Sequence, residues 1–205
     1  MFQQESALVS LLNKIADMVI LSVLWCLCCL PLVTAGAASA ALYHTVIKVI
    51  RQGRGYAFST FRDSFRSSFR QSLPPTLLLY AGFAAFGCTC YVCWQRPDSM
   101  IAGMYVIFSV LCLILLFVAW IHLFPLIGRF RLTRQELFTL IVRLTFAHPF
   151  RNFLLLCVLL FALELAIYYP PLLFIVPSGF FWLCTYIQES MFRKHINYEE
   201  DPLPE

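Results

Sequence analysis

The sequence predicts an all-α protein, a polytopic transmembrane helical bundle of about six spans in three hairpins, with two basic amphipathic cytoplasmic helices. Three observations predict this class. Of the 205 residues, 60% are hydrophobic and 13% are charged, against about 45–50% and about 25% in soluble domains. The apolar residues form runs whose lengths approach the roughly 20 residues that cross a bilayer. Fourteen of the 15 lysines and arginines fall on one predicted side of the membrane, and this composition argues against a soluble enzyme or a disordered chain.

The first predicted hairpin joins spans at residues 8–33 and 37–50 through a turn that contains Thr34 and Gly36. Gly36 and Ala40 are four residues apart, a spacing of small residues that lets helices approach closely in lipid. Because the second span is short, a re-entrant segment is an open alternative. Thr34 and Gly36 are also candidates for a helix break whose exposed amides bind a ligand, beside the simpler interpretation of a hairpin turn.

Residues 51–73 form a basic, aromatic segment. Two adjacent stripes repeat every four residues: Phe61, Phe65 and Phe69, and beside them Arg62, Arg66 and Arg70. This pattern favours one of two arrangements. Either the helix lies in the headgroup plane with its rings in lipid and its guanidiniums on anionic lipid headgroups, or it packs under the bundle with its arginines in solvent. Nucleic-acid binding is not expected, because spans flank the segment on both sides.

Four further spans are predicted, at residues 74–94, 100–127, 153–169 and 172–187. Pro74 and Pro75 are expected in the first turn of the third span, where missing amide hydrogens cost little. Pro177 is expected to kink the sixth span.

The second basic segment covers residues 128–151. Thr133 and Glu136 have the spacing of a capping box, which predicts a short helix over residues 137–147. The tail at residues 193–205 is polar.

The two basic segments resemble each other at an offset of 81 residues, with Arg62 matching Arg143 and Arg70 matching Arg151. A parallel repeat of a basic helix followed by a span is one interpretation, and transporter folds are often built from such repeats. The same cations predict orientation, because lysine and arginine concentrate in cytoplasmic loops. Both termini are therefore expected in the cytoplasm, with Arg96 alone on the outer side.

Ionisable side chains inside predicted spans are candidates for function, because they are costly in lipid. Glu164 is the clearest candidate. One interpretation is that Glu164 forms a proton or solute site. The other is that it makes a structural hydrogen bond between helices or lies near the outer interface. His44 and His122 are candidate partners of Glu164, or else core histidines.

The sequence offers no catalytic motif. G-x-S-x-G, H-E-x-x-H and Walker patterns are absent, and the carboxylates are scattered. The nine cysteines lie within or at the ends of apolar runs and are interpreted as small packing residues. Cys88, Cys90 and Cys93, near a membrane end, leave a metal site or a disulfide open. We expect no enzyme activity, no cofactor and no metal.

Residues 30–43, LPLVTAGAASAALY, resemble the first-hairpin signature L-P-x-x-T-x-G-x-x-x-A-A-L-Y of the YesL-like family of bacterial membrane proteins. Residues 61–72 resemble the aromatic-basic segment of that family, and the likeness covers about the first hundred residues. The family is a domain of unknown function whose members are often encoded near carbohydrate-uptake and pectin-degradation genes. The resemblance implies the bacterial plasma membrane and a loose link to sugar uptake, without catalytic residues.

Three functional hypotheses follow. The first is a non-enzymatic membrane protein that assists carbohydrate uptake or its sensing by contacting other membrane proteins of an uptake system through its basic loops. The second is a small secondary transporter that uses Glu164. The third is a membrane scaffold or regulator with no transported solute. The sequence leaves the ligand and the oligomeric state open.

Overall fold

The computed structural model describes residues 2–95, 100–130 and 133–195, which form helices and contain no β-strand. The α-helices in these ranges are α1 (Phe2–Cys29), α2 (Ala35–Thr45), α3 (Ala57–Trp94), α4 (Met100–Arg129), α5 (Arg134–Ala147), α6 (Pro149–Tyr168) and α7 (Val176–His195). Short 3₁₀ turns at Leu32–Thr34 and Pro170–Phe174 precede α2 and α7, and a π-helix at Val46–Arg51 continues α2. The all-α prediction is confirmed.

Five described segments are long and apolar enough to cross a membrane: Leu12–Cys29, Leu32–Arg51, Ala57–Trp94, Ile101–Arg129 and Pro149–Tyr168. The outside of the bundle is also apolar. Leu78, Ile107 and Ile167 are each more than 70% exposed, which suits a surface surrounded by lipid rather than water. The long apolar helices and the apolar outer surface indicate a membrane protein. The count of six spans stays a prediction, because α7 is not among the five.

The centre of the bundle is α2, which packs between α3 and α4. Its residues from Ala35 to Tyr43 are all buried. Small side chains allow this packing, since a Cβ atom added at Gly36 would collide with Oγ1 of Thr76 on α3. A Cβ atom added at Gly128 on α4 would collide with the carbonyl oxygen of Ala40. The close helix approach predicted from the small residues is present.

The structure corrects the predicted boundary between the first basic segment and the third span. From Ala57 onwards they form one continuous helix, α3, in which Pro74 and Pro75 lie in the interior and not in the first turn. Its 38 residues give a length of about 57 Å at 1.5 Å per residue, whereas a bilayer core is about 30 Å thick. The amino-terminal half of α3 therefore extends beyond the apolar span.

Packing against α2 explains why α3 continues through the prolines. Buried hydroxyl side chains repeat every four residues along one face of α3: Thr60, Ser64, Ser68, Ser72 and Thr76. This face extends across the proline pair, and the hydroxyl of Thr76 donates a hydrogen bond to the carbonyl of Ser72 at 2.6 Å. Proline disfavours a helical conformation in the preceding residue without forbidding it, so tertiary packing decides.

Two further expectations need correction. Pro177 stands in the first turn of α7 and not inside a longer span, so the predicted kink is wrong. The helix starts late because Pro170–Phe174 forms a separate 3₁₀ turn. The two units of the proposed repeat also differ, because His148 separates α5 from α6 while α3 is unbroken. Of the polar tail, residues 196–205 lie outside the described ranges, as does Arg96.

The capping box at the start of α5 is confirmed, with the backbone N–H of Thr133 donating to Glu136 Oε2 at 2.9 Å. This hydrogen bond lowers the pKa of Glu136 below its usual value. The carboxylate therefore stabilises the folded state above the pKa of the unfolded chain. Its contribution is lost as pH falls through the lower folded-state pKa.

We predict that Glu136→Gln, which keeps an oxygen acceptor but does not titrate, flattens the pH dependence of thermal unfolding across the range in which glutamate titrates. The expected effect is small, because the side chain is exposed. Thermal unfolding of both proteins in detergent, followed by circular dichroism in a pH series, measures it. Parallel curves for the two proteins across the series would contradict the prediction.

Candidate functional site

Two arginines and one glutamate meet at the end of the bundle where the two basic segments lie, which is called the basic end below. Glu189 on α7 accepts from Arg129 Nη2 at 3.0 Å through one carboxylate oxygen and from Arg51 Nη1 at 3.4 Å through the other. The Arg129 side chain is 6% exposed and the Arg51 side chain is 29% exposed. The Arg51 guanidinium also lies 4.8 Å from the ring centroid of Tyr186. This cluster joins the π-helical end of α2 to α4 and α7.

The sequence analysis did not identify Glu189. The sequence does show that Glu189 is a lone carboxylate at the end of the last apolar run. A sequence does not indicate which of many arginines a lone carboxylate meets. The cluster carries two positive charges and one negative charge, so it adds to the cationic character of this end.

His122 belongs to a second buried polar cluster. Its Nε2 lies 2.8 Å from Oδ1 of Asn152 on α6. The Asn152 amide nitrogen donates to the carbonyls of Leu144 and Thr145 at 3.3 and 2.8 Å. Those two bonds orient Oδ1 towards His122. Because Oδ1 is an acceptor, His122 carries a proton on Nε2 and donates it to Oδ1. The cluster connects α4, α5 and α6.

We predict that Asn152→Leu, which keeps the branching of the side chain but removes its polar atoms, lowers the free energy of unfolding by about 2 kcal/mol, because buried donors and acceptors lose their partners. Denaturant titration in detergent micelles measures the change. The double variant His122→Leu, Asn152→Leu should lose less than the sum of the two single losses, because the residues share a hydrogen bond. Strict additivity would show that the two side chains are not coupled.

His44 and Glu164 lie apart from each other and from His122. His44 on α2 is half-buried, and its Nδ1 lies 2.7 Å from the Ser64 hydroxyl of α3. Glu164 is exposed on the surface of α6. Neither histidine is hydrogen-bonded to Glu164 within the described part of the chain. The three intramembrane candidates are therefore not assembled into one site.

Thr34 and Gly36 form a tightly packed turn. The Thr34 hydroxyl lies 2.7 Å from the Pro31 carbonyl and also contacts that of Cys28. Gly36 is buried against Thr76 and Phe124, so the amides beside it do not open onto a ligand site. This geometry supports the hairpin-turn interpretation.

The arginine and phenylalanine stripes of α3 face different ways. Arg62, Arg66 and Arg70 are exposed, as is Arg143 on α5. Phe61 is 2% exposed, and Phe65 and Phe69 are half-buried beside it. Their rings follow one another at centroid distances of 6.2 and 5.7 Å: Phe61 to Phe65, then Phe65 to Phe69. The helix therefore packs its rings against the bundle and leaves its arginines outward, which is the second of the two predicted arrangements.

Other aromatic side chains are exposed near this end. Phe138 and Phe146 lie on one face of α5 and are 69% and 71% exposed. Phe150 at the start of α6 is 80% exposed, and the neighbouring Arg151 donates to the Ser190 hydroxyl at 2.9 Å. The sequence analysis described this segment as basic and did not predict that its phenylalanines point outward.

The cysteines show no bridging. All nine are free thiols. Among the described residues, no group of three or more His, Cys, Asp or Glu side chains is placed to hold a metal ion. Cys88, Cys90 and Cys93 lie in the last turns of α3.

Comparison with known proteins identifies a family match for part of the chain. A family model described as "Protein of unknown function, DUF624" matches residues 18–92, from within α1 to near the end of α3. The matched region contains α2, the hydroxyl face and the exposed arginines of α3. No curated protein and no solved structure matches the chain.

Proposed function

We propose that this protein is a non-enzymatic membrane component that acts through contacts at its basic cytoplasmic end, as an accessory to carbohydrate uptake or its sensing. The observation that carries the proposal is the exposed arginine row on the part of α3 that extends beyond the apolar span. Arg62, Arg66 and Arg70 stand outward there while the phenylalanines of the same helix hold it against the bundle. Such a row attracts anionic lipid headgroups and acidic protein surfaces.

The arrangement of polar groups favours this proposal over transport. Glu164 is exposed on α6, and His122 is engaged with Asn152. One cavity of the bundle has an apolar lining that includes neither residue. A sugar needs many hydrogen-bonding partners along its path, and this cavity does not supply them. A scaffold or regulator without a transported solute uses the same basic surface, so it differs from the main proposal only in its partners.

The resemblance of the first hundred residues to the YesL-like family supports carbohydrate uptake as the context. It supports a bacterial plasma-membrane location as well. The placement of the cations supports cytoplasmic termini. A tag after Pro204 that is labelled from outside intact cells would overturn the orientation, and with it the partner proposal.

The experiment is crosslinking from native membranes with a photoreactive residue at Phe58, which is 59% exposed and lies one helical turn before Arg62. We expect the chain that carries this photoreactive residue and keeps its three arginines to capture membrane proteins of an uptake system. Converting Arg62, Arg66 and Arg70 together to glutamine should reduce the capture at least fivefold, and converting them to lysine should preserve most of it. Equal capture by the glutamine variant, or no captured protein, would overturn the proposal.

The transporter alternative has its own test. Proteoliposome flux of a sugar that stops in Glu164→Gln would support a transport role for Glu164. Flux that is absent, or that is unchanged in the variant, would remove that role.

A further inference from the structure

An apolar cavity of about 350 Å³ lies inside the bundle, between α1, α2, α4, α6 and α7. Its volume is within the range of small-molecule sites, about 300–1,000 Å³. The lining on α7 runs from Val176 to Gln188, which is about 18 Å at 1.5 Å per residue. The cavity is therefore long and narrow, and it fits one extended chain better than a compact ring.

The cavity reaches the outer surface of the bundle between α4 and α6. Phe117 and Leu163 belong to its lining, and they are also 37% and 49% exposed. In a membrane this surface faces lipid. A molecule dissolved in the bilayer could therefore enter from the side without crossing water.

One polar group in the lining has an unused hydrogen-bonding capacity. Gln188 is fully buried, and its Nε2 donates to the carbonyl of Ile121 at 2.9 Å. Its Oε1 has no hydrogen-bond partner among the described residues. Because the Nε2 bond orients the amide, Oε1 is held as a buried acceptor in the layer of side chains that lines the cavity. A buried acceptor without a donor destabilises the fold, so a donor from a ligand would be favoured.

The remaining lining defines the class of ligand. Apart from the indole of Trp120 and the thiol of Cys184, the other polar side chain is Ser39, whose hydroxyl already accepts from Trp25 Nε1 at 3.2 Å. No charged side chain lines the cavity within the described residues, so a charged head group would be buried without a counter-ion. A sugar would bury several hydroxyls without partners.

We propose that this cavity binds a single-chain, uncharged lipid whose head-group hydroxyl donates a hydrogen bond to Oε1 of Gln188. The hydrocarbon chain extends from Gln188 towards Val176 among the aromatic and aliphatic side chains. This binding does not depend on the basic surface of α3, so it stands or falls separately from the proposed function.

Two tryptophans in the lining, Trp25 and Trp120, provide the measurement. Full-length protein with Trp94→Phe and Trp182→Phe is purified in detergent, so that only these two residues emit. The probe is a monoacylglycerol with a brominated chain, because bromine quenches nearby tryptophans. We expect saturable quenching. The methyl ester of the same brominated acid, which has no donor, should bind about fivefold more weakly, the effect of one hydrogen bond.

Variants test the two halves of the site. Gln188→Leu should weaken monoacylglycerol binding about fivefold, to the affinity of the ester, and leave the ester affinity within twofold. Ala162→Leu, which fills the cavity from α6, should weaken both probes at least tenfold. The matched control Ala84→Leu, on the exposed face of α3, should change neither.

The comparison of the two probes on the protein with unaltered Gln188 needs no lining variant, so a variant that fails to fold does not block the test. Equal affinities for the two probes would overturn the hydroxyl assignment, as would unchanged monoacylglycerol binding in a folded Gln188→Leu. Quenching that does not saturate would show only general contact with lipid and would overturn the site.

Discussion

Glu189→Gln is expected to lower the free energy of unfolding by about 3 kcal/mol, the largest single effect that the structure predicts. Arg129 is almost completely buried and lies 3.0 Å from the Glu189 carboxylate. Removing that negative charge takes the Glu189 carboxylate away from a buried guanidinium, and breaking a buried pair costs far more than the intact pair contributes. Denaturant titration in detergent micelles, with the helical circular dichroism signal as the readout, measures the loss.

Two comparisons separate this mechanism from general damage. Arg51→Gln should cost less than about 1 kcal/mol, because Arg51 is more exposed and its contact with Glu189 is longer. The double variant Arg129→Gln, Glu189→Gln should be more stable than Glu189→Gln alone, because it also removes the buried guanidinium charge. If the double variant is the less stable of the two, charge burial is not the cause.

Gly128→Ala is expected to destabilise the protein by about 1–3 kcal/mol. Glycine to alanine inside a helix ordinarily stabilises it, by about 0.5–1 kcal/mol, so the expected sign is reversed. The reason is that the new methyl group would collide with the backbone carbonyl of Ala40 on α2. That atom belongs to a buried helix and cannot rotate away as a side chain would.

The matched control is Gly103→Ala on the same helix, where an added Cβ meets no atom within 4 Å. This substitution should leave the thermal unfolding temperature unchanged or raise it slightly. Both variants are compared with the unaltered protein by thermal unfolding in detergent. A rise for both would mean that α2 and α4 are not in such close contact.

The helical class was predictable because composition and apolar runs are local properties of the chain. The apolar runs predicted the helices, and the four-residue spacing of Gly36 and Ala40 predicted close packing of the second helix. The capping box at Thr133 was predictable for the same reason, because both of its partners lie within one turn.

The errors and omissions concern contacts between distant segments. The continuity of α3 through Pro74 and Pro75 depends on packing against α2, which overrides the local preference of proline. Glu189 and Gln188 acquire their roles from residues of α2 and α4 that lie far away in sequence. Periodicity also could not decide whether the arginine stripe of α3 or its phenylalanine stripe faced the bundle, since either choice satisfies the repeat.

The enclosure of α2 has a consequence for biogenesis. In the segment Leu32–Arg51, 78% of the most apolar stretch of 18 residues is buried inside the protein. The corresponding share in the other four candidate spans is 6–11%. The hydropathy of Leu32–Arg51 is also the lowest of the five, so lipid alone is a poor environment for it. The neighbours that cover it, α3 and α4, are synthesised afterwards. The nascent chain therefore needs to reach Arg129 before α2 is fully enclosed, and shortened products that end earlier should be targets for membrane quality control.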